Sequence, residues 1–313
     1  MRALIERLPI LVLEPHARCN CRCVMCDIWK ITDAQEMTAA DLERHLGDIV
    51  ELQVKWVVFT GGEPLMHSDL FRLADILRVN GIRITILSTG LLLSRHAAQI
   101  RESIDDVIVS LDGPPQIHDQ IRRVPGAFQT LSEGMAALRD FPVSARCTVQ
   151  GANAGHLRAT VRAARELGLR SISFLAADLA STAFNRELVW PIERQSSIAP
   201  DLTALDCEME ALIAEADSFI LESPAKLRRI VDHFRAHFGL QPHVAPRCNA
   251  PWVSAVVQAN GDVRPCFFQP PIGNVTGVSL RDVINSPRAV AFRESLDVAT
   301  DPTCRRCVCS LYA

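Results

Sequence analysis

The sequence predicts an α/β fold, and two patterns between residue 10 and about residue 175 support this class. Short runs rich in β-branched residues alternate with stretches of helical periodicity. The runs are apolar on both faces, which is typical of parallel strands that are covered on both sides. Such alternation predicts a parallel sheet with right-handed crossovers. Periodicity does not distinguish an open sheet from a curved partial barrel, but in both the chemistry lies at the carboxyl ends of the strands.

The elements follow in a regular order. The predicted strands are ILVLE (10–14), KWVVFT (55–60), IRITILS (82–88), DVIVSLD (106–112), VSARCTV (143–149) and SISFL (171–175). The helical patterns between them lie at about 38–52, 67–80, 93–103, 128–140 and 155–168.

After residue 176 the sequence pattern changes to that of a loop-rich stretch with several prolines. Two helical patterns follow at 201–216 and 223–238. Residues 252–268 predict a hairpin with Asn260-Gly261-Asp262 as its turn, followed by short helices. The predicted divisions are a core at 1–176, a connecting region at 177–246 that contributes to the substrate pocket, and a C-terminal segment at 247–313.

Charge and hydropathy do not indicate a nucleic-acid or membrane partner, although a nucleic-acid substrate is not excluded. The formal net charge of −3 gives no attraction to nucleic acid or to an anionic membrane. No apolar run approaches the roughly 20 residues that a membrane span needs. The N-terminal stretch carries Glu6 and Arg7 and lacks a small-residue cleavage site, so it predicts a strand and not a signal peptide. We therefore expect a cytoplasmic protein without membrane or nucleic-acid partners.

Eleven cysteines are many for such a protein, and most are clustered. Clustered cysteines in a reducing compartment indicate metal binding, whereas disulfides are not expected there. Cys147 and Cys207 stand alone, and each is predicted to be a buried structural thiol. The clustered cysteines are Cys19, Cys21, Cys23, Cys26, Cys248, Cys266, Cys304, Cys307 and Cys309.

The first cluster of cysteines follows the first strand. Thiolates are the usual ligands of iron–sulfur clusters, and the compact loop with Cys19, Cys23 and Cys26 can hold three irons of a cubane and leave the fourth without a protein ligand. Such an iron can take an exogenous ligand, as an open catalytic zinc position does. The alternative is a zinc knuckle that uses Cys21, but zinc sites normally join two separated pairs, and this loop is too tight for one.

The spacing CxxxCxxC after a first strand resembles the signature of the radical S-adenosylmethionine (radical SAM) enzymes. The resemblance implies a partial (β/α)6 TIM-like barrel, a 4Fe-4S cluster on Cys19, Cys23 and Cys26, and S-adenosylmethionine as cofactor. Met25 takes the position that an aromatic or other apolar residue usually holds in the family. Cys21 has no ligand role in the family pattern.

Polar motifs at the ends of the following strands extend the resemblance. Gly61 and Gly62 allow the backbone to approach a ligand closely, and GGEP resembles the family element that holds the amino group of S-adenosylmethionine, although alone it also suits a tight turn. The family relatives often have a short polar motif near the ribose, like Ser88-Thr89-Gly90. The cofactor-binding residues implied are Met25, Gly61, Gly62, Glu63, Pro64, Ser88, Thr89, Ser110, Arg122 and Asn153.

The string SLDG at 110–113, followed by His118, Asp119 and Arg122, resembles the SLDG…HDxxR pattern of the family branch that carries extra clusters. It implies that Ser110 and Arg122 lie near the methionine carboxylate or the ribose. It also implies that Asp112 points toward the substrate. Ordinary capping remains an equal interpretation of the polar residues Thr89, Asp119 and Asn153.

The C-terminal cysteines form a second pattern. Cys248 precedes the hairpin, Cys266 follows the turn glycine Gly261 by five residues, and a CxxC pair comes last. Zinc held by two pairs is the alternative. The arrangement resembles the shortened auxiliary-cluster domain of the superfamily, of the SPASM or twitch type, and implies a small α+β domain with one auxiliary 4Fe-4S cluster. Its ligands would be Cys248, Cys266, Cys304 and Cys307, with Cys309 as an alternative to Cys307.

The resemblance implies that the reduced cluster cleaves S-adenosylmethionine to a 5′-deoxyadenosyl radical, which abstracts hydrogen from the substrate. A flavodoxin or ferredoxin would supply the electron. We predict a small-molecule intermediate as substrate (a sugar, aminocyclitol or nucleoside-like compound) that is dehydrogenated, epimerised or decarboxylated. Modification of a peptide or protein is the second hypothesis, and a non-catalytic zinc-binding structural protein is the third.

The support for a small substrate is that few residues precede Cys19 and that one auxiliary cluster fits best. The auxiliary cluster would accept an electron from the substrate or act as a relay. Polar pocket residues are expected after the sixth strand, at Asp178, Asn185, Arg186 and Glu187. The predicted catalytic residues are Asp112, Asp178 and Glu187.

Overall fold

One nine-stranded sheet runs through the protein, for which a computed structural model describes residues 3–33, 35–186 and 188–312. The first six strands match the six predicted from the sequence, within a few residues at each end. The strands are β1 (Ile10–His16), β2 (Trp56–Gly61), β3 (Arg83–Ser88), β4 (Asp106–Ser110), β5 (Val143–Val149), β6 (Ile172–Ala176), β7 (Ser254–Gln258), β8 (Asp262–Arg264) and β9 (Gly273–Asn274).

The strand order decides between an open doubly wound sheet and a partial barrel. The order is β6-β5-β4-β3-β2-β1-β7-β8-β9, and each of the first six strands pairs in parallel with the next in sequence. Because the winding never reverses within these six strands, right-handed crossovers place the connecting helices on one side of the sheet. The core is therefore an α/β partial barrel of the (β/α)6 type, as predicted.

Most helices fall where periodicity predicts them. Helices α4 (Pro115–Arg122), α7 (Ile192–Ile198) and α10 (Ala250–Val253) were not predicted, because about two turns or fewer are too short to show a reliable period. The helices are α1 (Ala39–Glu51), α2 (Leu70–Arg78), α3 (Leu93–Ser103), α4 (Pro115–Arg122), α5 (Ala127–Ala137), α6 (Leu157–Glu166), α7 (Ile192–Ile198), α8 (Leu202–Ala214), α9 (Pro224–His237), α10 (Ala250–Val253), α11 (Leu280–Ile284), α12 (Pro287–Ser295) and α13 (Pro302–Arg305).

The hairpin near the C-terminus continues the same sheet. Strand β7 pairs in parallel with β1 from Ile10↔Ser254 to Glu14↔Gln258, and β8 then pairs antiparallel with β7. The predicted turn is confirmed: Gly261 has φ +85°, and an added Cβ there would lie 2.8 Å from Asn274 Oδ1. Strand β1 is thus an interior strand, hydrogen-bonded by β2 on one side and by β7 on the other.

The two solitary cysteines differ in their exposure to solvent. Cys147 on β5 is completely buried, as predicted. Cys207 on α8 is exposed, so its predicted burial is wrong; the helix turns this position to solvent and directs Leu205 and Met209 into the core. Within the described ranges, no helix is both long and apolar enough to cross a membrane.

The interior position of β1 makes a quantitative prediction about Leu11, which is completely buried between its partners Val57 and Ala255. Replacing Leu11 with Ala should lower the free energy of unfolding by about 2–5 kcal/mol, because a cavity remains at the centre of the sheet. Urea denaturation under reducing conditions measures the loss. The exposed Leu240 offers the control, and equal losses in the two variants would contradict the central role of β1.

Candidate active site

The cysteine loop follows β1 directly and packs against the end of α4. The backbone N–H of Arg22 donates to the carbonyl of Arg122 (3.1 Å), and that of Val24 donates to Ile121 (3.0 Å). Arg122 Nη1 lies 3.5 Å from Cys23 Sγ. The helix that sequence periodicity missed therefore holds the loop between Cys19 and Cys26 in place.

The loop buries Cys21 and Cys23 and leaves Cys19 and Cys26 half-buried. Burial raises the pKa of Cys19 and of Cys26 to about 12. A hydrogen bond with Cys21 lowers the pKa of Cys23 to about 6, and the Arg122 guanidinium also lowers it, against the effect of burial. Cys21 itself is buried beside Cys23.

These features fit an iron–sulfur cluster. Metal binding deprotonates thiols, so a cluster would supply the positive charge that the half-buried Cys19 and Cys26 need in order to be thiolates. Within the described part of the chain, no group of three or more His, Cys, Asp or Glu side chains is close enough together to hold a single metal ion.

The two glycines after β2 are required by the cysteine loop itself. An added Cβ at Gly62 would lie 2.0 Å from the carbonyl oxygen of Arg18, and Gly61 has φ +107° with Glu14 Cβ 3.0 Å from an added Cβ. The sequence suggested that these glycines let the backbone approach a ligand. In the structure they let β2 approach the backbone of β1 and the loop, because no side chain fits between them.

Glu63 is fully buried and joins the ends of β2 and β3. Its carboxylate accepts hydrogen bonds from the backbone N–H of Leu65 (3.0 Å), from Ser88 Oγ (3.0 Å) and from the backbone N–H of Thr89 (2.6 Å). Burial raises the pKa of Glu63 in spite of these donors. Thr89 Oγ1 in turn donates to Asn20 Oδ1 in the cysteine loop (2.9 Å). The predicted contact of Glu63 with the cofactor stays a prediction, as do those of Pro64, Ser88 and Thr89.

Asp112 is also fully buried, in an ion pair with Arg122 (2.5 Å). It accepts from the backbone N–H of Thr148 (2.8 Å), and its own N–H donates to His118 Nδ1 (3.2 Å). Burial lowers the pKa of His118 to about 3, which keeps the ring neutral and able to accept. The structure therefore directs the Asp112 carboxylate toward Arg122, and its catalytic role stays a prediction.

Asn153 binds the same strand ends together: its Nδ2 donates to the carbonyls of Asp112 (2.9 Å) and Thr148 (3.0 Å). Ser110 ends β4 opposite Arg146 and is half-buried. These positions are compatible with capping, and a cofactor contact for Asn153 or Ser110 is untested.

A cavity of about 450 Å³ opens where β1, β2 and β7 end. The loop after β6 forms its opposite wall through residues 182–186, and β8 closes one side. The polar and glycine residues that line it include Glu14, His16, Gly61, Asn185, Gln258 and Arg264. Of the polar residues predicted after the sixth strand, Asn185 and Arg186 line this cavity.

The loop after β6 is fastened to the cysteine loop on both sides of Cys26. Arg186 forms a buried ion pair with Asp178 (2.7 Å), donates to the Met25 carbonyl (3.0 Å) and lies 3.7 Å from the centre of the Trp190 ring. Trp190 Nε1 donates to Asp27 Oδ2 (2.7 Å). We call this set of contacts the loop clasp. It places Asp178 in a buried ion pair, and the catalytic role of Asp178 stays a prediction.

Glu187, the other catalytic candidate in this loop, lies outside the described residues. Asp27 and Trp190 were not singled out from the sequence, because a single acid and a single tryptophan have no diagnostic spacing. Arg194 was missed for the same reason; it donates to Asp27 (2.9 Å) and stacks on Trp190 at 4.0 Å.

The C-terminal thiols gather beside α9. Arg229 donates to the Cys307 carbonyl (2.6 Å), and the charges of Cys307, Cys309 and Cys248 act on its guanidinium. Burial raises the pKa of Cys266 to about 11, with Cys248 and Cys309 acting in the same direction. Arg229 belongs to the connecting region and was not predicted to take part.

Gln269 connects the hairpin to the terminal CxxC. Its side chain lies 3.7 Å from Cys304 Sγ, and its backbone N–H donates to the Cys266 carbonyl (3.3 Å). The backbone N–H of Cys304 donates to Asp301, which begins α13. The predicted ligands are thus neighbours, and the choice between Cys307 and Cys309 remains open because both lie near Cys248.

Family models match both cysteine regions. Residues 13–164 match the Radical SAM superfamily, and residues 248–308 match the SPASM iron-sulfur cluster-binding domain. The chain belongs to the radical SAM superfamily. This radical SAM protein is an enzyme, and its cofactors are 4Fe-4S clusters and S-adenosylmethionine.

Similar proteins extend over most of this radical SAM chain. The AdoMet-dependent heme synthase of Methanosarcina barkeri is 26% identical over 95% of this chain and 87% of its own length. The AdoMet-dependent heme synthase of Oleidesulfovibrio alaskensis is 30% identical, over 42% of this chain and 35% of its own length. The structure of Streptococcus suis SuiB bound to S-adenosylmethionine has a TM-score of 0.68 at 16% identity, and covers 99% of this chain and 74% of SuiB. The similarity to SuiB shows that the two proteins share a fold.

The loop clasp predicts a large effect on stability. Replacing Arg186 with Met leaves Asp178 buried without its counter-charge and should lower the free energy of unfolding by about 3–5 kcal/mol. Chemical denaturation under anaerobic, reducing conditions measures it. Adding Asp178→Asn should recover part of the loss, and Arg194→Met should cost less, because Arg194 is one-third exposed. A loss below about 1 kcal/mol for Arg186→Met would contradict the clasp.

Proposed function

We propose that this radical SAM enzyme acts on a small polar biosynthetic intermediate, such as a sugar, an aminocyclitol or a nucleoside-like compound. The cavity at the carboxyl ends of β1, β2 and β7 carries this proposal. Its volume of about 450 Å³ falls in the usual range for small-molecule sites, roughly 300–1,000 Å³. One relative, aligned over 87% of its own length, is named as a heme synthase, and this name favours a small-molecule substrate.

When bound, the reduced cluster and S-adenosylmethionine supply a 5′-deoxyadenosyl radical that abstracts hydrogen, leading to dehydrogenation, epimerisation or decarboxylation. The residues of the chain contribute to this chemistry in two ways. The loop clasp covers the cysteine loop, which limits access of water to the site. Arg122, with its charge balanced by Asp112, places a positive group beside Cys23, and charges and hydrogen bonds near the thiolates set the potential of a cluster.

The C-terminal thiols are proposed to hold one auxiliary 4Fe-4S cluster, with Cys248, Cys266, Cys304 and either Cys307 or Cys309 as ligands. Arg229 would offset part of the negative charge of these thiolates. The eleven cysteines, all among the described residues, are free thiols, which suits the reducing cytoplasm, where a flavodoxin or ferredoxin supplies electrons.

The central prediction concerns cofactor cleavage. Anaerobically reconstituted protein with dithionite and S-adenosylmethionine should release 5′-deoxyadenosine, measured by liquid chromatography and mass spectrometry. Replacing Cys19, Cys23 and Cys26 with Ala should abolish it, because the cluster loses its ligands. The exposed Cys207 provides the control, since Cys207→Ala leaves the loop intact. Cleavage that persists without the three cysteines would refute the proposal.

The second prediction concerns iron content. Replacing Cys248 and Cys266 together with Ala should lower iron per chain by about half, because one of two four-iron clusters is lost. Iron analysis by mass spectrometry measures it, with zinc determined in the same sample. Zinc in place of iron in the anaerobically purified protein would support the structural-protein hypothesis.

Substrate class is tested by incubating the active enzyme with a panel of aminated and hydroxylated cyclic compounds and, separately, a panel of peptides. The proposal expects consumption of a compound from the first panel together with 5′-deoxyadenosine formation. Modification of a peptide alone would replace the small-molecule proposal with that of a peptide maturase.

A further inference from the structure

Two polar side chains of β1 are buried in the cavity wall with an atom left unbonded. Glu14 is 7% exposed and His16 is 3% exposed, and both line the cavity. Glu14 Oε1 and His16 Nε2 have no hydrogen-bond partner among the described residues. Buried polar atoms are almost always bonded, so an unbonded carboxylate oxygen and an unbonded imidazole nitrogen in one cavity indicate a site that a ligand completes.

The orientation of Glu14 is fixed by its neighbours on β7 and β8. Arg264 Nε donates to Gln258 Oε1 (3.1 Å), which turns the amide of Gln258 so that its Nε2 donates to Glu14 Oε2 (2.7 Å). Arg264 is itself held by the carbonyl of Gln269 (3.0 Å). One carboxylate oxygen of Glu14 is thereby occupied and the other stays available as an acceptor.

Glu14 lies near the GGEP turn, which the family resemblance assigns to binding of the cofactor. The space around Gly61 is so tight that an added Cβ would lie 3.0 Å from Glu14 Cβ. Gly61 and Gly62 line the same cavity as Glu14 and His16. A group bound by Glu14 therefore lies at the side of the cavity nearest the GGEP turn.

We propose that Glu14 Oε1 and His16 Nε2 form the substrate subsite and bind a hydroxyl or amino group on the ring of the substrate. The proposal rests on the proposed function and narrows its substrate class to cyclic compounds that carry such hydrogen-bond donors. A carboxylate ligand without donors does not fit, because it presents a second acceptor and a second negative charge to Glu14.

Burial supports the view that Glu14 serves binding and not stability. Burial raises the pKa of Glu14, against the hydrogen bond from Gln258 and the charge of Arg264, so a hydrogen-bond donor on a ligand would stabilise the charged, accepting form of this carboxylate. A buried carboxyl whose pKa is raised destabilises the fold at neutral pH relative to an uncharged amide. Replacing Glu14 with Gln should therefore leave stability equal or higher.

The substitution Glu14→Gln tests the subsite directly, because the Gln258 side-chain amide donates a hydrogen bond to residue 14. The new amide must turn its oxygen to Gln258, which directs its NH₂ group into the cavity and changes an acceptor into a donor. Asp33→Asn is the matched control, because Asp33 is an exposed carboxylate at the rim of the same cavity.

Binding is measured by calorimetry on the anaerobic holoenzyme with S-adenosylmethionine, using three probes. 2-Deoxystreptamine carries amines and hydroxyls, myo-inositol carries hydroxyls only, and cyclohexanecarboxylate carries acceptors only. We expect the first two to bind the natural enzyme and the third not to bind. Glu14→Gln should weaken the first two about tenfold or more, and Asp33→Asn should leave them unchanged.

Several results would overturn the subsite. The first is that the cyclitols bind equally well to the natural enzyme and to Glu14→Gln. The second is that neither cyclitol binds the natural enzyme, and the third is that the carboxylate binds more tightly than the cyclitols. Lost binding together with a lower thermal midpoint for Glu14→Gln would assign Glu14 a structural role instead. Formation of 5′-deoxyadenosine in the same preparations separates the two proposals, because its absence in the natural enzyme refutes the proposed function itself.

Discussion

The pairing of β1 with strands on both sides is the constraint on which the remaining structure depends. Strand β2 belongs to the barrel, and β7 comes from the C-terminal segment more than 190 residues later in the sequence. Because β1 leads directly into the cysteine loop, both neighbours fix where that loop starts. The same strand carries Glu14 and His16. Strand β1 therefore connects the cysteine loop, the C-terminal cysteines and the cavity.

Around the cysteine loop, two arginines are buried together with carboxylates that balance their charge. Arg122 pairs with Asp112, and Arg186 pairs with Asp178, with all four side chains less than a tenth exposed. Breaking such a pair leaves a costly unpaired charge, so these pairs specify where α4 and the loop after β6 lie. The site thus obtains positive groups beside its thiols without burying an uncompensated charge.

Particular residues show where sequence reasoning succeeds and where it does not. The strands of the core and the turn at Gly261 follow from periodicity and turn chemistry, which are local properties. Cys207 was misplaced because one residue of a helix carries no information about which face is covered. The ion pair of Asp178 with Arg186 and the stacking of Arg186 on Trp190 could not be predicted, because these residues become neighbours only when the loop folds back.

The sequence by itself determined the cysteine spacings, the α/β class and the succession of polar motifs at strand ends, because each depends on residues close together along the chain. Only the tertiary structure decided that the C-terminal hairpin extends the barrel sheet through β1 and that Gly62 makes room for the backbone of Arg18. It also decided that Glu14, Gln258 and Arg264 form one hydrogen-bonded row. These contacts join residues that are distant in sequence, and their geometry is set by packing, which no local pattern records.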